Sequence, residues 1–167
     1  GLITNYDKFD SQLFDIKEQE ARSMDPQQRM MLELTWMALE DAGLTLTEVS
    51  GSSTGVFVGI SSTVYFLGKV LKEPHVSLFD GTGFAHGISA NRISYFFNLK
   101  GPSLSLDTAC SSSLVAVHQA CLSIEVGNCD YAIVGGVNLL SSPFLFEAFQ
   151  KANMLSETGS LKAFSEG

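Results

Sequence analysis

The sequence is poor in basic residues and has no long apolar run. It contains 10 Lys and Arg against 18 Asp and Glu, a formal net charge of −8, and the basic residues are scattered. This balance argues against a surface that binds the phosphates of nucleic acid. No segment approaches the ~18 apolar residues of a membrane span, and the first residues lack the basic and apolar regions of a signal peptide. We therefore expect neither a nucleic acid nor a membrane as partner.

Cysteine is also scarce. The chain has three cysteines, Cys110, Cys121 and Cys129, an odd number without Cys-x-x-Cys spacing. A disulfide framework and a zinc site are both disfavoured by this pattern. We expect no metal site and a reducing, cytoplasmic environment.

The length of 167 residues matches one ordinary domain or a piece of a larger one. With 45% hydrophobic and 17% charged residues, the chain has enough apolar material for a core. No buried strand opens the sequence, and no terminating element closes it after "LKAFSEG". We therefore expect residues 1–167 to form part of a larger domain.

The clearest helix signal begins at Asp25. Asp25 can cap the helix, Pro26 suits its first position, and Gln28 has the spacing of a capping box. Gly43 is a typical residue to end it. Apolar residues recur at helical spacing, which predicts a core-facing stripe. They are Met30, Met31, Leu34, Met37 and Ala38.

The remaining chain alternates strand and helix patterns. Short apolar runs predict buried strands at 54–60 and 131–140, and a period-two pattern predicts a strand at 103–107. Helices are predicted around 64–71 and 86–98. Residues 111–126 are apolar almost all round, which predicts a buried central helix closed by Gly127. This order indicates an α/β layered fold with helices on both faces of a sheet.

Cys110 is the candidate reactive residue because it lies where a predicted strand ends and a helix begins. The first turn of a helix presents free N–H groups and the positive end of the macrodipole, which favour a thiolate and can hold an oxyanion. The alternative is a buried cysteine that only packs, which is common. Cys121 and Cys129 open no helix, so we predict packing roles for both.

A nucleophilic cysteine usually needs a histidine as base. His118 lies eight residues along the same helix, about 80° round and ~12 Å up the axis, too far for a hydrogen bond. His75 lies in a predicted surface loop. His86 is not excluded by its spacing, but no pattern supports it. The sequence therefore identifies no base for Cys110 within these residues.

Around this cysteine the sequence closely resembles a known family. The segment "GPSLSLDTACSSSLVAVHQAC" resembles the active-site segment of β-ketoacyl synthases, the condensing domains of modular polyketide synthases and animal-type fatty acid synthases. Five other segments resemble the same family in the same order, so the resemblance covers essentially the whole chain. They are "FDSQLFDIKEQEARSMDPQQRMMLELTWMALEDAG", "GVFVGIS", "ANRISYFFNLKGPS", "AIVGGVNLL" and "MLSETGSLKAF".

The resemblance implies a thiolase-like fold, in which two similar halves form five alternating layers of helices and sheets. This chain resembles most of the first half, without its opening strand. The family's two catalytic histidines belong to the second half. Gly81-Thr82-Gly83 imitates one histidine motif, but Asp80 precedes it and it lies upstream of the cysteine.

The resemblance also implies a reaction. Cys110 would accept an acyl group from an acyl carrier protein, and the carbanion of a decarboxylated malonyl-type extender would attack that thioester. No cofactor would bind directly, because phosphopantetheine of the carrier protein holds the substrates. A homodimer would form through Asn98 to Thr108, and this chain alone would be inactive.

Two other functions compete with this interpretation. The first is an inactive scaffold for dimerisation or carrier-protein docking. Cys110 weighs against it, because inactive relatives typically replace this cysteine. The second, a cysteine hydrolase, has little support because the family's pocket excludes water.

Overall fold

In the computed structural model, which describes residues 3–72, 75–161 and 163–164, a parallel sheet lies between two layers of helices. The strands are β1 (Thr54–Ile60), β2 (Ser103–Leu106) and β3 (Tyr131–Val137). The α-helices are α1 (Glu18–Ser23), α2 (Pro26–Asp41), α3 (Leu46–Val49), α4 (Val64–Lys72), α5 (Asp80–Phe84), α6 (Gly87–Phe96), α7 (Ser112–Glu125) and α8 (Phe144–Lys151). A 3₁₀ turn, Ala109–Ser111, precedes α7.

The sheet has the order β2-β1-β3, with β1 in the centre and both neighbours parallel to it. All seven residues of β1 are buried, as the apolar run predicts. Val56, Val58 and Ile60 share a core with α2 and α6, whereas Phe57 packs against α7. The predicted helix layers on both faces of the sheet are confirmed.

The beginning and end of α2 are confirmed, but the predicted capping box is not. Asp25 Oδ1 accepts a hydrogen bond of 2.8 Å from the Gln27 N–H, and Gly43 has a φ of +70° after the last turn. Gln28 does not reach back to Asp25, because its Nε2 donates to the Thr82 and Ala85 carbonyls. The Asp25 N–H donates to the Gly83 carbonyl instead.

The predicted apolar stripe of α2 is wrong in its second half. Met31 is 3% exposed, but Leu34 is 49% and Met37 is 60% exposed, and Ala38 is also exposed. The buried face runs through Leu32 and Thr35, with Trp36 and Leu39 packed beside it. The helix covers the sheet with one side only, so several members of the stripe face outward.

The helix α7 is also less buried than predicted. Its buried residues are all small and lie on one face: Ser112, Ala116, Ala120 and Ser123. Leu114 is 74% and Val117 is 47% exposed. The small side chains allow α7 to lie close against β1 and β3, whereas its larger apolar side chains point away from the sheet. Gly127, with a φ of +75°, ends the helix as predicted.

The strand β3 is an edge strand, not the fully buried strand that the sequence predicts. It ends at Val137 rather than Leu140. Tyr131 is 70% and Val134 is 37% exposed, because no strand pairs with the outer edge of β3 among the described residues.

In the described part of the chain, no helix has the length and apolar character that would let it cross a membrane.

Candidate active site

Cys110 lies in the 3₁₀ turn between β2 and α7, and its side chain is exposed. The turn is sharp because Ala109 adopts a φ of +55°, in the left-handed region that residues other than glycine seldom occupy. Asp107 Oδ1 accepts a 3.0 Å hydrogen bond from the Ala109 N–H. This backbone conformation presents Cys110 at the start of α7, as the sequence predicts.

The serines after Cys110 hold the turn in place. Ser111 Oγ lies 2.8 Å from the Thr108 carbonyl oxygen, to which it donates, and 2.9 Å from Thr108 Oγ1. Ser112 Oγ donates to the Ala109 carbonyl at 2.7 Å and accepts from the Thr108 N–H at 2.9 Å. Hydroxyl groups therefore stabilise a backbone conformation that alanine at 109 would otherwise disfavour.

Two glycines allow the start of α7 to approach the sheet. A methyl group at Gly59 would lie 2.7 Å from the Ser112 carbonyl carbon, and one at Gly136 would lie 2.7 Å from Ser113 Cβ. Both distances are far shorter than a van der Waals contact. The glycines therefore bring the Cys110 turn close to the carboxyl ends of β1 and β3.

Cys110 lines a cavity of about 460 Å³ at these strand ends. Residues after β1 and after β3 form two of its walls, and Leu145 and Phe149 of α8 form a third. The lining residues are Gly59, Ile60, Ser61, Ser62, Ala109, Cys110, Ser112, Ser113, Gly136, Val137, Asn138, Leu140, Leu145 and Phe149. The cavity combines one nucleophile with largely apolar walls, which suits an acyl chain bound as a thioester.

The positive end of α7 supplies the electrostatic part of the site. The free N–H groups predicted there are partly occupied, because the Ser111 and Ser112 N–H groups donate to the Thr108 and Ala109 carbonyls of the 3₁₀ turn. The helix macrodipole still places partial positive charge at this end, and such charge stabilises the oxyanion that forms when sulfur attacks a carbonyl. The local geometry therefore fits acyl transfer to Cys110.

None of the histidines forms a hydrogen bond with Cys110 within the described residues. His118 is exposed on α7, and His75 is exposed outside the helices and strands, as predicted. His86 Nε2 lies 3.0 Å from the carbonyl oxygen of Ser62, a residue of the cavity wall. The described residues thus provide a nucleophile, but none of their histidines forms a hydrogen bond with it.

The other cysteines lie elsewhere. Cys129 is buried beside Phe57, with its Sγ 3.5 Å from Ser123 Oγ, which fits its predicted packing role. Cys121 is exposed on α7, and its packing role stays a prediction.

Three kinds of site residue were missed by the sequence analysis. They are the hydroxyl groups that fix the turn, the glycines beneath it, and Gln27, which connects the loops of the cavity wall. The serine run after Cys110 and the glycines ending "VFVG" and "IVGG" were visible signals for the first two. Nothing local to Gln27 indicates its distant partners.

Comparison with known proteins gives a consistent assignment. The family model described as "Beta-ketoacyl synthase, N-terminal domain" matches residues 1–167. Cyclo-acetoacetyl-L-tryptophan synthase of Aspergillus oryzae is 50% identical over 151 residues, which are 90% of this chain and 4% of that protein. The polyketide synthase PksN of Bacillus subtilis is 45% identical over 168 aligned positions, which cover 99% of this chain and 3% of that protein.

A solved structure agrees with these sequence matches. The oxazolomycin ketosynthase domain of Streptomyces albus JA3453 superimposes with a TM-score of 0.88 at 39% identity, covering 100% of this chain and 29% of that one. The chain therefore spans a small part of the relatives it matches. The thiolase-like fold expected from the sequence is confirmed by this superposition. The chain belongs to the β-ketoacyl synthase family and is similar over its whole length to the ketosynthase domains of polyketide synthases.

Proposed function

We propose that these residues form part of a ketosynthase that performs decarboxylative Claisen condensation, with Cys110 as the acyl carrier. The observation that carries the proposal is the position of Cys110, exposed at a helix start and lining an apolar-walled cavity. The ketosynthase relatives support the same reaction.

The reaction has two steps. The Cys110 sulfur attacks the carbonyl of an acyl thioester, the oxyanion collapses, and the carrier thiol leaves with the proton. A malonyl-type thioester then loses carbon dioxide, and the resulting carbanion attacks the acyl group on Cys110. The products are carbon dioxide, a β-ketoacyl thioester and the Cys110 thiolate, which takes up a proton from water to restore the thiol. The positive end of the α7 macrodipole stabilises the oxyanions of both attacks.

The partner and the substrate carrier follow from this reaction. An acyl carrier protein presents both thioesters on phosphopantetheine, and no cofactor binds the ketosynthase itself. The histidines that assist decarboxylation come from residues outside this chain, within a larger domain of which residues 1–167 form the N-terminal part. The free state of all three cysteines supports a cytoplasmic location.

The edge strand β2 supports a homodimer through Asn98 to Thr108. One edge of β2 pairs with β1, and its other edge has no partner strand among the described residues. Leu104 is 42% exposed. An open strand edge with an exposed apolar side chain favours pairing with a second copy across a two-fold axis.

A scaffold without catalytic activity is the second candidate. The open edge of β2 favours it as much as it favours a dimeric enzyme, because both need self-association. The two functions differ in one respect: a scaffold has no use for a cysteine held at a helix start beside a cavity.

Acylation of Cys110 tests the proposal directly. The complete polypeptide that contains these residues is incubated with acyl-carrier protein thioester, and the adduct is mapped by peptide mass spectrometry. We expect the label on Cys110 and none on Cys121. Cys110→Ala should lower condensation by at least ~10³-fold and leave the fold nearly intact, because its side chain is small.

Cys121→Ala is the matched control, because Cys121 is the other exposed cysteine. It should condense at the wild-type rate. A stable label on Cys121 or Cys129 with none on Cys110 would contradict the proposal. An unlabelled protein that still dimerises would favour the scaffold.

A further inference from the structure

The side chain of Gln27 connects two segments that leave the sheet side by side. Its Nε2 lies 3.0 Å from the Ser62 carbonyl oxygen, to which it donates, and its Oε1 accepts from the Leu139 N–H at 3.1 Å. Ser62 follows β1 and Leu139 follows β3. Gln27 itself is 1% exposed.

These bonds continue the sheet where its ladder stops. The pairing of β1 with β3 ends at Ile60 and Val137. Beyond that point the side-chain amide of Gln27 binds as a backbone peptide group of a neighbouring strand would. It accepts a hydrogen bond from the segment after β3 and donates one to the segment after β1. Ser62 Oγ also donates to the Leu139 carbonyl at 3.3 Å. We call Gln27, Ser62 and Leu139 the strand-end clamp.

The orientation of the Gln27 amide is itself fixed. Its Nε2 lies 3.3 Å from Asp25 Oδ2, and the other oxygen of that carboxylate accepts from the Gln27 N–H. Since both contacts of Nε2 are acceptors, the amide oxygen must face the Leu139 N–H. His86 Nε2 lies 3.0 Å from the same Ser62 carbonyl and holds it from a second side.

Within the clamp, Gln27 lies directly behind the walls of the Cys110 cavity. Ser61 and Ser62 line the cavity on the β1 side, and Asn138 and Leu140 line it on the β3 side. Gln27 does not line the cavity. Gln27 therefore affects an acyl chain in the cavity only by setting the distance between the two cavity walls.

We propose that Gln27 is a positioning residue that keeps the cavity beside Cys110 open to an acyl chain. This proposal rests on the proposed function, which identifies the bound ligand as an acyl chain. It requires that loss of the clamp slow the reaction of Cys110 with long-chain reagents more than its reaction with small ones.

The test compares Gln27→Met with Gln28→Met in the complete polypeptide. Both glutamines lie in the first turn of α2, are 1% exposed and bind two carbonyl or carboxylate oxygens. Gln28 bonds to the Thr82 and Ala85 carbonyls and to Arg92, away from the cavity. Methionine is close to glutamine in length and shape, but it forms none of the side-chain hydrogen bonds that either glutamine makes.

The readout is the rate of Cys110 modification by a decyl and by a methyl methanethiosulfonate, with the site confirmed by mass spectrometry. For Gln27→Met we expect the decyl rate to fall about tenfold, because displacement of a site by ~1 Å costs up to about 100-fold, and the methyl rate to stay within about twofold. Gln28→Met should leave the ratio of the rates unchanged. Hydrogen exchange at the Leu139 amide should accelerate only in Gln27→Met.

Ser62→Ala, which removes the Ser62 Oγ bond to Leu139, is the second variant if Gln27→Met does not fold. It should lower the decyl-to-methyl ratio in the same direction. An unchanged ratio in the folded variants, or an equal fall in Gln28→Met, would overturn the role of Gln27. Because these reagents need no carrier protein, the ratio is measured even if acylation of Cys110 fails and the proposed function is wrong.

Discussion

The absence of a side chain at position 59 determines how close α7 lies to β1. The backbone of Ser112 and Ser113 approaches within 2.9 Å of the place where a methyl group would stand. Backbone atoms cannot move aside as a flexible side chain does. The position of Cys110, two residues before this contact, therefore depends on Gly59.

Gly59→Ala tests this dependence. The added methyl group should push the start of α7 outward, lower the free energy of unfolding by about 1–3 kcal/mol as overpacking does, and slow acylation of Cys110 by tenfold or more. Denaturant unfolding and the rate of thioester transfer in the complete polypeptide measure the two effects.

Gly68→Ala is the control for this prediction. Gly68 lies within α4, and nothing stands within 4 Å of its added methyl group. Alanine there should leave acylation unchanged and stabilise the helix by up to ~1 kcal/mol. Equal acylation rates for both variants would show that the contact at Gly59 does not position the cysteine.

At the residue scale the sequence predicted the location of Cys110 but not the means that hold it there. Cys110 was identified from a local feature, a strand followed at once by a helix. The roles of Gly59 and Gln27 depend on partners 53 and 35 or more residues away. Local sequence patterns extend over only a few residues, so they do not reveal partners at such separations. These residues come together only in the folded chain.

Among the elements, β2 combines an outer edge that pairs with no strand among the described residues with an exposed apolar side chain, Leu104. We predict that Leu104→Asp shifts the complete polypeptide from dimer to monomer in sedimentation, because it places a charge on the edge that would pair with the second copy. The effect should be at least about tenfold on the dissociation constant, since a charge buried in an interface costs several kcal/mol.

Leu44→Asp is the matched control. Leu44 is 43% exposed, against 42% for Leu104, and it lies between α2 and α3, outside the sheet. It should leave the dimer intact. If Leu104→Asp remains dimeric and active, the proposed interface is misplaced.

The elements themselves were predicted better than their burial. The strand at 54–60 was confirmed residue for residue because its apolar run is short and bounded by turn residues. The helix at 111–126 was confirmed, yet Leu114 is exposed where a buried helix was expected. An apolar side chain shows that a helix needs a neighbour. It does not show whether that neighbour belongs to the same chain.

The whole molecule exposes more surface than its mass predicts. Its accessible surface is 11000 Å², whereas a compact monomer of 18.0 kDa has about 8000 Å². Large apolar side chains exposed on α7 and directly after it contribute to the difference. They are Leu114, Val117, Leu122, Ile124 and Val126.

We predict that residues 1–167 expressed alone are marginally stable and form no β-ketoacyl product. Five half-exposed apolar side chains forfeit several kcal/mol, at ~1.5–3 kcal/mol for each one fully buried, against a typical domain stability of ~5–15 kcal/mol. The catalytic histidines are expected from the rest of the domain. Among the described residues, no histidine that forms a hydrogen bond with Cys110 replaces them. Denaturant unfolding and product formation with acyl and malonyl carrier proteins measure both effects.

Product at rates near those of the complete polypeptide would show that a base lies within this chain. His86 would then be the first histidine to replace. A sharp, cooperative unfolding transition above ~5 kcal/mol would show that α7 needs no further cover.

The central place of β1 also has a consequence for synthesis on the ribosome. The strand is uncharged and apolar, the composition of an aggregation-prone segment. Met31 and Leu32, which cover one of its faces, have already been synthesised when β1 emerges. Ala116 and Ala120, which cover Phe57 on the other face, follow about 60 residues later, or ~3–12 s at ~5–20 residues per second. During that interval the nascent chain presents a half-covered strand, and the arrival of α7 ends its exposure to neighbouring chains.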